Sequence, residues 1–313
     1  MMIWGIISPM IRPTLDRRQL LSLAAAATAA SALPAFAAPA RSFEFLFLTD
    51  CHIQPELDAA HGTDMAMRAA RKTRAEFAIQ GGDHVFDALG VPANRANALY
   101  DLYAKTEQDL GMKVRHTLGN HDVFGVFPAS GVASTDPAYG KKMFADRFGP
   151  TFYSFDHKGH HFIILDSIGI TEDRNYEARI DADQLAWLER DLKAQAAGTP
   201  IIVTTHIPLV TALSSYTVPA PNAKNYGFVN GPAAIKLFEG HNVLGVLQGH
   251  THVNERVEWH GVPYITSGAV CGNWWKGTRM GTPEGFTVVT VANGKLTTRY
   301  ETSGFKSVAP ENT

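Results

Sequence analysis

Five short polar clusters, each set directly after an apolar or β-branched run, constrain this chain more than any other feature. In order they are Asp50-Cys51-His52, Gly82-Asp83, Asn120-His121-Asp122, His206 and His250-Thr251-His252. Residues 43–49, Phe-Glu-Phe-Leu-Phe-Leu-Thr, read as a buried strand that delivers Asp50 and His52 at its carboxyl end. The same layout returns before Asp83, Asn120, His206 and His250. Strands alternating with helices, with polar groups at the strand ends, predict an α/β fold, in which sites form beyond the carboxyl ends of the strands. Groups far apart in the chain can then meet in one pocket.

The intervening pattern supplies the other elements. Residues 65–77, 94–110, 183–195 and 233–238 have helical spacing. Hairpins are expected at 152–155 with 161–165, at 253–259 with 262–267, and at 286–291 with 295–300, the last turning at Asn293-Gly294. The Pro-, Ser- and Asn-rich stretch 207–230 reads as a long loop near the site. Residues 38–303 read as one domain without repeats or linkers, followed by a flexible polar tail at 304–313.

At the amino terminus the order is charged, then apolar, then small, ending at Ala35-Phe36-Ala37, which predicts an export signal over residues 1–37. Arg17-Arg18 resembles the twin-arginine signal of bacteria, which makes the Tat export machinery a partner and the periplasm or the exterior the destination. The apolar run stops at Pro34, short of the roughly 20 residues that cross a bilayer, so no stable membrane span is expected after processing. A net charge of -2 gives no reason to expect a nucleic-acid duplex as partner. The two cysteines, Cys51 and Cys271, are too few for a thiolate-rich zinc site and read as buried thiols.

Asp50 and Asp83 offer carboxylate oxygen, Asn120 amide oxygen, and His52, His206, His250 and His252 imidazole nitrogen. That mixture suits divalent or trivalent first-row ions such as Mn, Fe or Zn better than magnesium. Seven groups exceed the needs of one four-coordinate ion but suffice for two if a carboxylate bridges. Two ions about 3.5–4 Å apart lower the pKa of a shared water and clamp the oxygens of an in-line displacement. No phosphate-cradling Gly-x-x-x-x-Gly-Lys-Ser/Thr loop and no Gly-x-Ser-x-Gly elbow is present.

With all five blocks in this order, the chain resembles the calcineurin-like metallophosphoesterase family. The resemblance implies an αββα sandwich of two mixed sheets flanked by helices. It implies that Asp50, His52 and His252 hold one metal, that Asn120, His206 and His250 hold the other, and that Asp83 bridges them. His121 would face the scissile phosphate as charge stabiliser or proton donor, with Asp122 orienting its imidazole. Phe86 stands where purple acid phosphatases carry tyrosine, so no tyrosinate ligand is expected. Asp87 is similar to a carboxylate of phosphodiesterase-like members and equally fits a capping role.

Residues 267–277 look like the corresponding stretch of exported bacterial relatives. Trp274 and Trp275 there read either as a wall for the organic part of a substrate or as core, with Lys276 or Arg279 meeting a phosphate. His84, beside Asp83, is expected to support the ligands from behind. The expected activity is hydrolysis of phosphodiesters by a metal-bridging hydroxide, on a small-molecule, lipid or nucleotide phosphoester. Phosphomonoesters are the alternative on the same site, and a non-catalytic metal-binding or scaffold protein is the alternative of another class.

Overall fold

Alternation along the first strand sets the layering. Phe43, Phe45 and Phe47 point to one side and Leu46 and Leu48 to the other, and all five are buried. A strand covered on both faces belongs in the middle of a layered α/β structure, which is why its sequence is apolar but for Glu44 near its start. The computed structural model describes residues 42–213 and 227–311. The expected export signal and residues 214–226 of the expected long loop lie outside the described residues.

The first half of the described chain runs β1 (Phe43–Leu48), α1 (Ala59–Ala70), β2 (Ala75–Gln80), α2 (Ala93–Glu107), β3 (Val114–His116) and α3 (Lys142–Phe148). Next come β4 (Tyr153–His157), β5 (His160–Leu165), β6 (Ile168–Ile170), β7 (Tyr176–Ala178), α4 (Ala182–Ala194) and β8 (Pro200–Thr205). The remainder is α5 (Gly231–Leu237), β9 (Asn242–Gln248), β10 (Glu255–Trp259), β11 (Val262–Thr266), β12 (Gly285–Ala292) and β13 (Lys295–Thr302).

Two mixed sheets form, in the orders β13-β12-β1-β2-β3 and β10-β11-β9-β8-β5-β4. In the first, β1, β2 and β3 are parallel and β12 closes antiparallel on β1. In the second, β5, β8, β9 and β11 are parallel, with antiparallel β4 and β10 at the edges. Phe45, Phe47, Phe77 and Ile79 of one sheet meet Phe162, Ile164, Ile202 and Leu247 of the other in the central core. On the outer faces, α1 and α2 cover Leu46, Leu48 and Val288, while α4 and α5 cover Ile163, Ile201 and Val203. This is the expected αββα sandwich, and it brings the carboxyl ends of β1, β2, β3, β8 and β9 to one rim.

The helix expected at 65–77 instead ends at Ala70, and Thr73 N–H turns back to the Ala70 carbonyl. Phe77 and Ile79 alternate into the central core as part of β2, so burial between the sheets overrides the helical spacing read from Ala and Arg. Helix α3 and the β6–β7 hairpin have no counterpart in the sequence reading. Nor are residues 304–311 a loose tail. Phe305 is buried against Trp275, and Ser307 Oγ donates to the Trp275 carbonyl at 2.6 Å.

Candidate metal centre

At the common rim the chain adopts backbone conformations that ordinary residues avoid. Asp50, His52, Asp83, His250 and His252 have φ of +55°, +42°, +55°, +71° and +61°. For non-glycine residues this left-handed region costs roughly 1–3 kcal/mol each, and it persists where the surroundings over-determine it. Small residues behind the site allow the crowding. A Cβ on Gly119 would lie 2.1 Å from the Asp83 nitrogen, and one on Gly249 would lie 2.2 Å from Thr49 Oγ1.

The seven expected ligands converge. Asp50 Oδ2 accepts from Thr49 Oγ1 and His250 N–H at 2.7 and 2.9 Å, which turns Oδ1 inward. There it lies 3.3 Å from His252 Nε2 and 3.8 Å from His52 Nε2, and the two imidazole nitrogens are 3.2 Å apart. On the other side, His206 Nε2 lies 3.1 Å from Asn120 Oδ1, and His250 groups with His206 and Asp83. Asp83 belongs to both halves. Its Oδ2 is 3.4 Å from His52 Nε2 and 3.1 Å from His206 Nε2, while Oδ1 accepts the His121 N–H at 2.8 Å.

Two features fit these groups to cations. With metal–ligand bonds of about 2.0–2.2 Å, neighbouring donors on a tetrahedron or octahedron lie about 2.8–3.6 Å apart, a range that holds the 3.1–3.4 Å separations here but not the 3.8 Å between His52 Nε2 and Asp50 Oδ1. His206 Nδ1 faces the Gly81 carbonyl at 2.9 Å and His252 Nδ1 faces the Gly272 carbonyl at 2.7 Å. Each ring thereby donates outward and turns Nε2 to the centre, as metal-bound histidines do.

The electrostatics of these side chains follow from this crowding. Burial lowers His52 to about 4 and His250 to about 3. Burial acts in the same direction on His206, but Asp83 and Asp50 outweigh it and lift that ring to about 9. His252 is also raised despite its burial, by Cys271 and Asp50. Burial opposes ionisation of Asp50 and Asp83, yet the surrounding histidines hold both well below the usual carboxylate range.

His121 stands at the edge of the cluster, its ring 4.7 Å from that of His52, and its buried Nδ1 has no hydrogen-bond partner among the described residues. It can meet a bound substrate. The expected partner is elsewhere: Asp122 accepts the backbone N–H groups of Asp83, His84 and Gly119 at 3.0, 2.8 and 3.0 Å, and faces His84 Nδ1 at 2.8 Å. Asp122 therefore pins the two loops that carry Asp83 and Asn120 and does not orient the His121 ring. The helical turn Asn120–Asp122 points its carboxylate back under the loop, away from that imidazole.

The expected substrate residues separate. Trp274 lies over the site, its ring 4.0 Å from His52, 5.0 Å from His121 and 5.2 Å from His252. Trp275 is wholly buried and donates its indole N–H to the Cys51 and His52 carbonyls, so it is core and does not line a pocket. Lys276 is paired with Glu311 at 3.2 Å, and Arg279 makes no hydrogen bond or ion pair with the cluster among the described residues. Asp87 caps a turn by accepting from Leu89 N–H at 2.8 Å. Both cysteines are free and buried, and Cys271 Sγ lies 3.6 Å from His252 Nδ1. The carbonyls of Gly81 and Gly272, which aim two of the rings, carry no side-chain signal that a sequence could offer.

The family model described as calcineurin-like phosphoesterase matches residues 43–254. No curated protein matches the chain. Among solved structures, a dimetal phosphatase from Danio rerio is 14% identical with a TM-score of 0.56, covering 83% of this chain and 99% of its own. GAP50 of Plasmodium, described as the anchor in the inner membrane complex, is 18% identical with a TM-score of 0.52, covering 87% and 88%. A putative 5'-nucleotidase from Staphylococcus aureus is 15% identical with a TM-score of 0.50, covering 87% of this chain and 55% of its own. At these identities the likeness is one of fold.

Proposed function

Because the chain belongs to the calcineurin-like phosphoesterase family, we propose that it hydrolyses phosphodiesters at the rim cluster, with one ion held by Asp50, His52 and His252 and a second by Asn120, His206 and His250. The observation that carries this reading is the position of Asp83 Oδ2, 3.4 Å from His52 Nε2 and 3.1 Å from His206 Nε2, between the two halves. Two first-row ions, Mn, Fe or Zn, would supply a lowered pKa for water and charge neutralisation at the phosphoryl group.

The chain's own part is positional and acid–base. Asp83 holds the two halves in register, and its contact with the His121 backbone fixes that residue beside them. The His121 ring then donates a proton to, or stabilises charge on, the leaving oxygen. The ion pairs of the cluster are formed with histidines, and none involves a lysine or arginine among the described residues. Without such cations the site suits the single charge of a diester better than the double charge of a monoester. Residues 1–37 are read as the export signal of a periplasmic or secreted enzyme. Among the described residues, no helix is long and apolar enough to cross a membrane.

The test is metal analysis of the purified protein together with a panel of chromogenic diesters and monoesters. Two ions per chain and a diester preference are expected, and Asp83→Asn should lose metal and hydrolysis together. Faster turnover of monoesters would reverse the substrate assignment. A fully metal-loaded chain inert on both would favour a binding protein.

A further inference from the structure

The carboxyl-terminal segment is tied to the loop that carries Trp274 over the centre. Phe305, buried, meets Trp275 edge-on at 5.2 Å, and Ser307 Oγ donates to the Trp275 carbonyl at 2.6 Å. Asn273 Nδ2 donates to the Glu311 carbonyl at 2.7 Å, and the Glu311 N–H donates to the Lys276 carbonyl at 2.5 Å. The Lys276 ammonium lies 3.2 Å from both Glu311 carboxylate oxygens. These contacts fall on residues 273, 275 and 276, on both sides of Trp274.

Trp274 and Trp275 both have left-handed backbones, φ +56° and +66°. Two such residues in succession need outside support. Trp275 receives it from the core below, and the loop receives it from the carboxyl-terminal segment behind. What is left facing the site is the half-buried Trp274 ring, resting on His52, His121 and His252, with Phe86 5.8 Å away. A substrate whose phosphoryl group sits at His121 can place an organic substituent against this wall, where a flat aromatic group gains most from an indole.

We propose that residues 305–311 are a positioning strap that holds Trp274 as an aromatic wall, and that the site thereby selects phosphoesters carrying a flat aromatic group. The inference rests on the phosphoesterase reading and adds the class of substituent. The strap acts through Trp274 and touches no reacting atom.

The experiment uses the metal-loaded protein and two singly charged diester analogues, methyl phenylphosphonate and methyl methylphosphonate, as competitive inhibitors of a chromogenic diester. The wild type should bind the phenyl compound about fivefold to tenfold more tightly. Trp274→Ala should bring that ratio near one with the methyl compound little changed. A chain ending at Gly304 should lower the ratio at least threefold at unchanged metal content. Because that deletion removes buried Phe305, the pair Ser307→Ala with Glu311→Ala provides a second test that keeps the core, and it should move the ratio in the same direction. A wild-type ratio near one, or a ratio unmoved in Trp274→Ala or in the double variant, overturns the inference while leaving the hydrolase intact. Metal-loaded wild type that neither hydrolyses diesters nor binds either phosphonate overturns both.

Discussion

The Asp122 carboxylate lies 2.8 Å from His84 Nδ1, and His84 Nε2 in turn lies 3.1 Å from His116 Nδ1. With the backbone N–H groups of Asp83, His84, Val85 and Gly119 also donating to it, Asp122 is the buried knot that ties the Gly82-Asp83 loop to the Gly119-Asn120 loop. It thus acts on the ligands and not on the His121 ring.

That geometry predicts what Asp122→Asn does. An amide NH₂ cannot accept the N–H groups that the carboxylate oxygen accepted, so buried donors are left unpaired. The expected loss is about 3 kcal/mol of stability in urea unfolding of the metal-free protein, with weaker metal retention. An unchanged urea midpoint with slowed turnover alone would restore the role of orienting His121.

Much of this centre was legible before the structure, for a specific reason. Each ligand sits just beyond a strand end, where an apolar or β-branched run passes through Thr or Gly into Asp, Asn or His, the short strand before Asn120 being the least apolar. The α/β class followed from strand and helix patterning, and the sandwich was implied by the family resemblance that those blocks carry. What stayed hidden depends on orientation. Trp274 and Trp275 are identical neighbours with the same left-handed backbone, yet one ring lies over the site and the other in the core. Asp122 follows His121 directly, but the short helical turn between Asn120 and Asp122 aims their side chains apart. Phe305 was the visible hint in the tail, a lone aromatic residue in a polar stretch, and burial of such a residue requires the chain around it to dock.

His121→Ala separates chemistry from metal binding. The ring groups with His52 and Asp83 at the rim, while the hydrogen bond to the Asp83 carboxylate comes from the His121 backbone N–H, which alanine keeps. Metal content should remain at two ions per chain, and kcat should fall about 100-fold with KM little altered, the usual scale for a lost general acid. Metal loss in this variant would make His121 a ligand.

Metal uptake should release protons, and its pH dependence has a definite sign. In the metal-free cleft at neutral pH, Asp83 and Asp50 hold His206 protonated, with a value of about 9, and His252 is raised as well, while His52 and His250 are neutral. A cation can use the Nε2 atoms of His206 and His252 only after their protons leave, so apparent affinity should fall as pH drops below about 9, up to tenfold per unit for each proton displaced. The same raised values stabilise the metal-free fold below the ordinary histidine pKa of about 6.5, and that contribution is lost as pH rises through 9. Calorimetric titration with Zn²⁺ at pH 7 in two buffers of different ionisation enthalpy should give one to two protons released per chain, and urea unfolding should show the metal-free protein weakening between pH 7 and 10. Zero proton release, or a metal affinity flat from pH 6 to 8, would mean that neither His206 nor His252 is charged in the metal-free protein.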